Sequence, residues 1–419
     1  MIYNATKYNE TWDTKYINEL GIFNRGKSKH RPRNDKKLFE GGGYPLIQTG
    51  EVKSANLYVD NHLNEYNEFG LKQSKLWPAN TLCITIAANI AESALLKYPM
   101  CFPDSVVGFE AYPDKCSNEF MHYVFEYIKK SVKSSVSGSI QDNINIDYLK
   151  KMQLKIPNKK TQDKILNILL PIDRKIDINR NIQKNIYNII NSIFEYMFIN
   201  KMHQKNGVIS DLFTIDGGYS FDSSSYTKDG KYNVITIKNV NDIYVDENEC
   251  DKISKLPKDI KEFQILKRGD VLISLTGITG RLSFVVNDNE LLNQRVGLIN
   301  VKNDLYKEYS YCLLNNSYYQ KKISNISTGG NQKNLSPLEL VKLECYVPTL
   351  EEIRKFHNNI NELFIKMIKI GEENNSLMAV KDTLLPLLMN GQIKIEDWEY
   401  LLFFFIYSRI ICNMVFIIC

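Results

Sequence analysis

The sequence predicts an α+β fold: two similar mixed α/β domains separated by two long antiparallel helices paired as a coiled coil, with a pseudo-twofold internal repeat. Three observations predict it. The 419-residue chain matches itself at an offset near 191. Each copy reads as short runs rich in Ile, Val, Thr and Tyr, broken by Gly and Asn turns, with one helical stretch. After each copy the apolar spacing changes to steps of three and four.

The repeat is densest at the end of each copy, where GSIQDNINIDYLKKMQLKIP (138–157) lies over GGNQKNLSPLELVKLECYVP (329–348). That offset of 191 pairs Gln141 with Gln332, Asn143 with Asn334, Leu149 with Leu340 and Pro157 with Pro348. Upstream, NTLCITIAANIAE (80–92) lies over GDVLISLTGITGR (269–281) at an offset of 189, and DSVVG (104–108) over NQRVG (293–297) at the same offset. YINELGIFNRGK (16–27) matches VISDLFTIDGGY (208–219) more loosely, at 192. The helical stretches are FMHYVFEYIKKSV (120–132) and KEYSYCLLNNSYYQKKI (307–323). The implied boundaries are a first domain at 1–159, a helix at 160–203, a second domain at 204–350, a second helix at 351–395 and a hydrophobic tail at 396–419 outside the fold.

The first helical stripe runs Ile165, Leu169, Ile172, Ile176, Ile182, Ile186, Ile190, Ile193 and Met197, with Asn179 interrupting it. The second runs Phe356, Ile360, Leu363, Met367, Ile370, Leu377, Val380, Leu384 and Leu388, with Asn374 interrupting. A single stripe is read as a helix packed on its own domain. Two at equivalent places bury most economically against each other, and a buried Asn pair then sets their register. Pro171, inside the first helix, costs about 3 kcal/mol and is expected to kink its first turns. From Ile165 to Met197 the helix runs about 33 residues, roughly 50 Å, a spacer's length. Two similar domains on such a rod suit two separated patches of one extended ligand, and DNA is one.

Composition fits this. With 43% apolar and 24% charged residues the chain buries sizeable cores. Its 53 basic side chains against 48 acidic leave +5, too diffuse by itself to argue for nucleic acid. Eight cysteines, at 83, 101, 116, 250, 312, 345, 412 and 419, contain no C-x-x-C pair, which argues against zinc and a disulfide scaffold and for a reducing, cytoplasmic setting. The N-terminus has no apolar stretch behind a basic start, so a secretory signal is not expected. The tail LLFFFIYSRIICNMVFIIC (401–419) is long enough to cross a bilayer at about 20 residues, yet carries Arg409 at its middle. It is read as an extension beyond the fold, with no membrane expected; the other reading makes it the anchor of a membrane-tethered tandem-domain protein-interaction module.

No Walker A loop, H-E-x-x-H, G-x-S-x-G or N-P-P-Y tetrad is present, and the five histidines form no ligand set, so neither catalysis nor a metal is expected of this chain. TGITGR (276–281) invites a phosphate-loop reading, but it lies between two strand-like runs and suits a hairpin turn with positive φ at Gly277 or Gly280. The first copy has AANIAE there. Basic residues concentrate in RGKSKHRPRNDKK (25–37), either a solvated loop or a phosphate- and guanine-binding one. Gln294 and Arg295 stand where the first copy has Ser105 and Val106, as two readers of different sequences require, or as surface drift leaves.

At ITIAANIAE and CFPDSVVGF (101–109) in the first copy, at GDVLISLTGITGR, NQRVGLI and GGNQKNLSP in the second, and at the two long helices, the sequence resembles the specificity subunit of type I restriction-modification enzymes. The resemblance covers roughly residues 10–395. It implies two target-recognition domains, each reading half of a bipartite site in double-stranded DNA, and paired helices that set the unread spacer and dock two modification subunits. It implies a non-catalytic chain without a cofactor. S-adenosylmethionine for adenine N6 methylation, and ATP with Mg for translocation and cleavage, belong to the modification and restriction subunits. The candidate DNA contacts are Arg25, Lys27, Lys29, Arg31, Arg33, Gln48, Thr49, Asn89 and Gln141 in the first copy. In the second they are Lys238, Thr276, Thr279, Arg281, Gln294, Arg295, Gln332 and Lys333.

Overall fold

The computed structural model describes residues 2–87, 89–137, 146–241, 243–247, 250–330 and 332–393; Gln141 and the tail lie outside the described residues. The chain divides into two compact units, Met1–Lys175 with Val380–Cys419, and Ile176–Ala379.

Unit 1 contains β1 (Asp13–Tyr16), β2 (Gly21–Arg25), β3 (Tyr44–Leu46), β4 (Tyr58–Val59), β5 (Asn64–Tyr66), β6 (Leu76–Trp77), β7 (Leu82–Thr85), β8 (Ser93–Leu96), β9 (Met100–Cys101), β10 (Val106–Ala111), α1 (Asn118–Ser137), β11 (Gln153–Ile156) and the opening of α2 (Lys159–Phe198). One sheet runs β2-β10-β7-β8-β4, a second β5-β3-β9-β6, and β1 pairs with β11. The β7–β8 hairpin is buried on both faces, which explains its unbroken apolar reading rather than an alternating one. One face packs on α1 and the long helices, the other on the Trp77–Phe102 stack, whose ring centroids are 4.8 Å apart.

Unit 2 takes the rest of α2 and adds β12 (Gly207–Val208), β13 (Phe213–Gly217), β14 (Tyr226–Thr227), β15 (Tyr232–Ile235), β16 (Asp251–Ile253), β17 (Ile265–Leu266), β18 (Val271–Ser274), β19 (Leu282–Phe284), β20 (Glu290–Leu292), β21 (Val296–Val301), α3 (Tyr306–Asn315), α4 (Ser317–Ile326), β22 (Glu344–Cys345) and most of α5 (Leu350–Met389). The order β13-β21-β18-β19 repeats β2-β10-β7-β8, and β12-β22 repeats β1-β11. The second sheets diverge: β14-β16-β15-β20-β17 has five strands where unit 1 has four, but both keep a parallel pair, β3-β9 and β15-β20. Where α1 is continuous, its counterpart breaks at Asn316, whose extended backbone ends α3 and whose side chain caps α4 at Tyr318 N, 3.0 Å away.

The repeat reaches individual hydrogen bonds. Thr85 Oγ1 donates to Asn89 O and accepts from Glu92 N at 3.0 Å; Ser274 Oγ donates to Ile278 O and accepts from Arg281 N at 3.0 Å. Ala91 N reaches Thr85 O and Gly280 N reaches Ser274 O, each at 2.9 Å. All these pairs keep the offset of 189. TGITGR is a hairpin turn, with φ of +79° at Gly277 and +83° at Gly280, and Ala91 adopts φ +61° at the place of Gly280.

The next strand corrects the alignment by one residue. Ile84 pairs with Val107, and its equivalent Ile273 pairs with Gly297, so Val107 rather than Gly108 matches Gly297. Burial agrees: Val107 and Ile299 face the helical cores, Val106 and Val296 the opposite ones. Gly108 leaves room for Trp77, 2.7 Å from where a Cβ would lie; Gly297 leaves room for Ile215, at 2.5 Å. Gly108 and Gly297 are thus different positions with different tasks, and the residues matching Gln294 and Arg295 are Asp104 and Ser105.

α2 and α5 are each 40 residues long, start 191 residues apart, and run through Pro171 and Pro386 without a break in helical assignment. They pair antiparallel within each unit. In unit 1, Ile165 and Leu169 share a core with Leu384 and Leu388, Ile172 packs half-buried against it, and the buried Asp173 carboxylate meets Lys381 Nζ at 2.6 Å and Tyr123 Oη at 2.5 Å. In unit 2, Ile176 is buried, Asn179 Nδ2 donates to Asn374 Oδ1 at 2.9 Å and Gln183 Nε2 to Met367 O at 3.0 Å. Ile186, Phe356, Ile360, Met367 and Ile370 are buried there, with Ile193 and Leu363 half-buried beside them. Each wholly buried aliphatic chain contributes about 1.5–3 kcal/mol. Leu377 is half-buried, and Met378, four residues beyond Asn374, is the more deeply buried of the two.

Candidate nucleic-acid interface

In unit 1 the parallel pairing of β3 and β9 brings the segments following both strands to one end of the second sheet, and antiparallel β5 begins there. Gln48 follows β3, Asn64 opens β5 and Asp104 follows β9. The basic loop closes over this end, tied down by Lys27 N to Phe102 O at 3.1 Å and Lys29 N to Gln73 O at 3.1 Å. The result is a cleft of about 610 Å³ lined by Arg33, Asn34, Lys36, Phe39, Glu40, Gln48 and Asn64.

The loop's cations are not equivalent. Arg25, Lys27 and Lys29 are exposed, whereas Arg31 turns back to donate from Nη1 to Ser28 O at 2.5 Å and His30 O at 2.8 Å. Arg33 Nη2 meets both oxygens of Asp104, at 2.7 and 3.0 Å. His30 bonds Asp35 at 2.8 Å, and this contact, with the Lys37 amide, holds the Asp35 carboxyl below its usual range. Thr49 opens a short helix behind Gln48, and Asn89 sits half-exposed at the hairpin tip, its carbonyl serving Thr85.

In unit 2 the three polar blocks converge. The 275–281 loop pairs with the 328–335 segment through Thr276 and Asn334, with Gly277 N to Lys333 O at 2.9 Å and Leu335 N to Leu275 O at 2.8 Å. Leu275 N also reaches Arg295 O at 3.0 Å. Gln294, Arg295, Gln332 and Lys333 are exposed around this junction, with Arg281 half-buried and Lys333 Nζ 3.1 Å from Ser324 Oγ. Lys238, which follows β15 as Thr49 follows β3, is exposed and 3.1 Å from Asp251. Thr276 is a correction: at 7% exposure it serves the loop's own ladder and has no face for a base edge. The Thr279 hydroxyl is shared with Ser327 at 2.9 Å.

Sequence reasoning missed Asn64 and Asp104, and it marked Asn34 and Lys36 only as members of the basic run. No local pattern marks Asn64 and Asp104, because they reach the loop from strands far along the chain; Arg33 and Asp104 are 71 residues apart. The basic run was the one usable signal.

Among the described residues no helix is long and apolar enough to cross a membrane. Among solved structures, the type I restriction-modification system S subunit from M. genitalium superposes with a TM-score of 0.53 at 16% identity, covering 93% of this chain and 99% of that one, a likeness of fold. The MjaIX type I restriction enzyme specificity subunit of Methanocaldococcus jannaschii is 22% identical over 437 aligned positions, covering 93% of this chain and 95% of the relative. The HindI specificity subunit of Haemophilus influenzae is 23% identical over 329, covering 60% and 71%. Residues 9–188 and 205–377 both match the type I restriction modification DNA specificity domain, one match per repeat. The chain therefore belongs to the type I restriction-modification DNA specificity family, as a specificity subunit built from two copies of its recognition domain.

Proposed function

We propose that this chain is a non-catalytic reader that delivers its partners' chemistry to one bipartite DNA sequence. Each unit reads one half-site, α2 and α5 set the unread spacer and carry two modification subunits, and restriction subunits join that complex in the cytoplasm. S-adenosylmethionine serves the modification subunits, and ATP with Mg the restriction subunits.

The observation that carries this reading is one scaffold bearing two sets of polar side chains. The Thr85 and Ser274 hairpins agree bond for bond, while the turn before the next strand holds Asp104 and Ser105 in one unit and Gln294 and Arg295 in the other. A common frame with exchanged hydrogen-bonding groups is what reading two different half-sites needs, because base identity is expressed as a donor and acceptor pattern in the groove. Exposed Arg25, Lys27 and Lys29, which lead into the loop that lines the cleft, suit phosphates, which position a protein without specifying sequence. Methylation of randomised duplexes by the full chain with its modification subunits is expected to be confined to one bipartite sequence; uniform methylation contradicts the reading.

A further inference from the structure

We propose that Arg33, oriented by Asp104, reads a guanine in the half-site served by unit 1. The inference rests on the DNA-reading function above and names the base and the residues within it.

Two features separate Arg33 from its basic neighbours. The first is the Asp104 clamp. A single guanidinium nitrogen, Nη2, takes both carboxylate oxygens, so the hydrogens on Nη1 and Nε are not spent on Asp104. A side chain with many rotamers is thereby biased toward one orientation before DNA arrives, which lowers the ordering cost of binding. The clamp also selects the ligand. A phosphate reaching Arg33 would lie beside the Asp104 carboxylate and be repelled by it, far more than an uncharged base edge would be. Guanine presents two acceptors, O6 and N7, which the two hydrogens of Nη1 can serve while Nη2 stays on Asp104. The unpaired cations of the same loop keep the phosphate role.

The second feature is position. Arg33 lines the 610 Å³ cleft together with Gln48 and Asn64, amide side chains that hydrogen-bond base edges. Asp104 follows β9 as Gln294 follows β20, so the clamp sits at the turn where unit 2 presents a different polar group. Arg31, two residues away, is spent on backbone carbonyls.

The test is methylation of randomised duplexes by the full chain with its modification subunits, comparing wild type with R33K and D104N. R33K keeps the charge and loses the planar Nη1 donor that Asp104 orients: preference for guanine at one position of one half-site should fall about 10- to 100-fold, with every other position unchanged. D104N should give a smaller loss at that same position. A uniform drop over all duplexes in R33K, with a salt dependence weakened by about one phosphate contact, would make Arg33 a backbone contact and overturn the proposal. An unaltered pattern in R33K overturns it too. Indiscriminate methylation by the wild type would instead remove the reading on which it rests.

Discussion

Asp173 shows how polar residues are used inside these helices. Its carboxylate is wholly buried in unit 1 and is answered by Lys381, itself nearly buried, and by the Tyr123 hydroxyl, so one side chain ties α1, α2 and α5 together. Removing one partner strands a buried charge, which costs about 3–5 kcal/mol. K381M is therefore expected to lower the stability of unit 1 by that order in thermal or urea unfolding, far more than substitution of an exposed lysine such as Lys36. In unit 2, Glu290 is buried beside Glu247; burial first, then the neighbouring carboxylate, pushes its pKa up to about 9. Its folded value lies above the ordinary carboxylate value of 4.5, so the protonated form's contribution is complete below about pH 4.5 and is lost as pH rises through about 9. Melting temperature should fall over that window, and E290Q, neutral throughout, should flatten the decline; an unchanged slope would count against it. Asn179 and Asn374 were legible in the sequence, because each interrupts an apolar stripe. Asp173 and Lys381 were not, since charges flanking a stripe are ordinarily solvated and only the packing of α1 buries them.

At the level of elements, the paired hairpins separate what the backbone demands from what the sequence supplies. Both need a left-handed residue six positions after the strand's last hydroxyl; unit 2 uses Gly280 and unit 1 Ala91. G280A adds the left-handed penalty of about 1–2 kcal/mol and places a Cβ 2.7 Å from Ile323 Cγ2, so it should destabilise unit 2 clearly in thermal denaturation. A91G relieves the same strain but gives up a buried methyl worth about 0.8 kcal/mol and adds chain freedom, so the two effects nearly cancel. The hairpin and the helical switch were readable because their spacing is local. The strand beyond was misread by one residue: Val and Gly recur in both copies, but the glycines face opposite sides, relieving Trp77 in one unit and Ile215 in the other. Side-chain facing comes from pairing across the sheet, which a linear alignment does not contain. The cleft around Arg33 was half legible for the same reason: its basic loop stands out, while Gln48 and Asn64 come from two distant strand ends.

For the whole molecule, two helices of equal length, 191 residues apart, follow two copies of one domain. If the helices set the spacer, removing four residues, about one turn, from each should shorten the unread gap while leaving both half-sites intact. Altered half-sites would contradict that role. The central claim, that this chain directs modification to one bipartite sequence, is tested most directly by mapping methylated adenines in the source genome with and without the gene. One bipartite adenine-containing motif should be methylated when the gene is present and unmethylated when it is deleted; a methylation map that does not change on deletion would contradict that role.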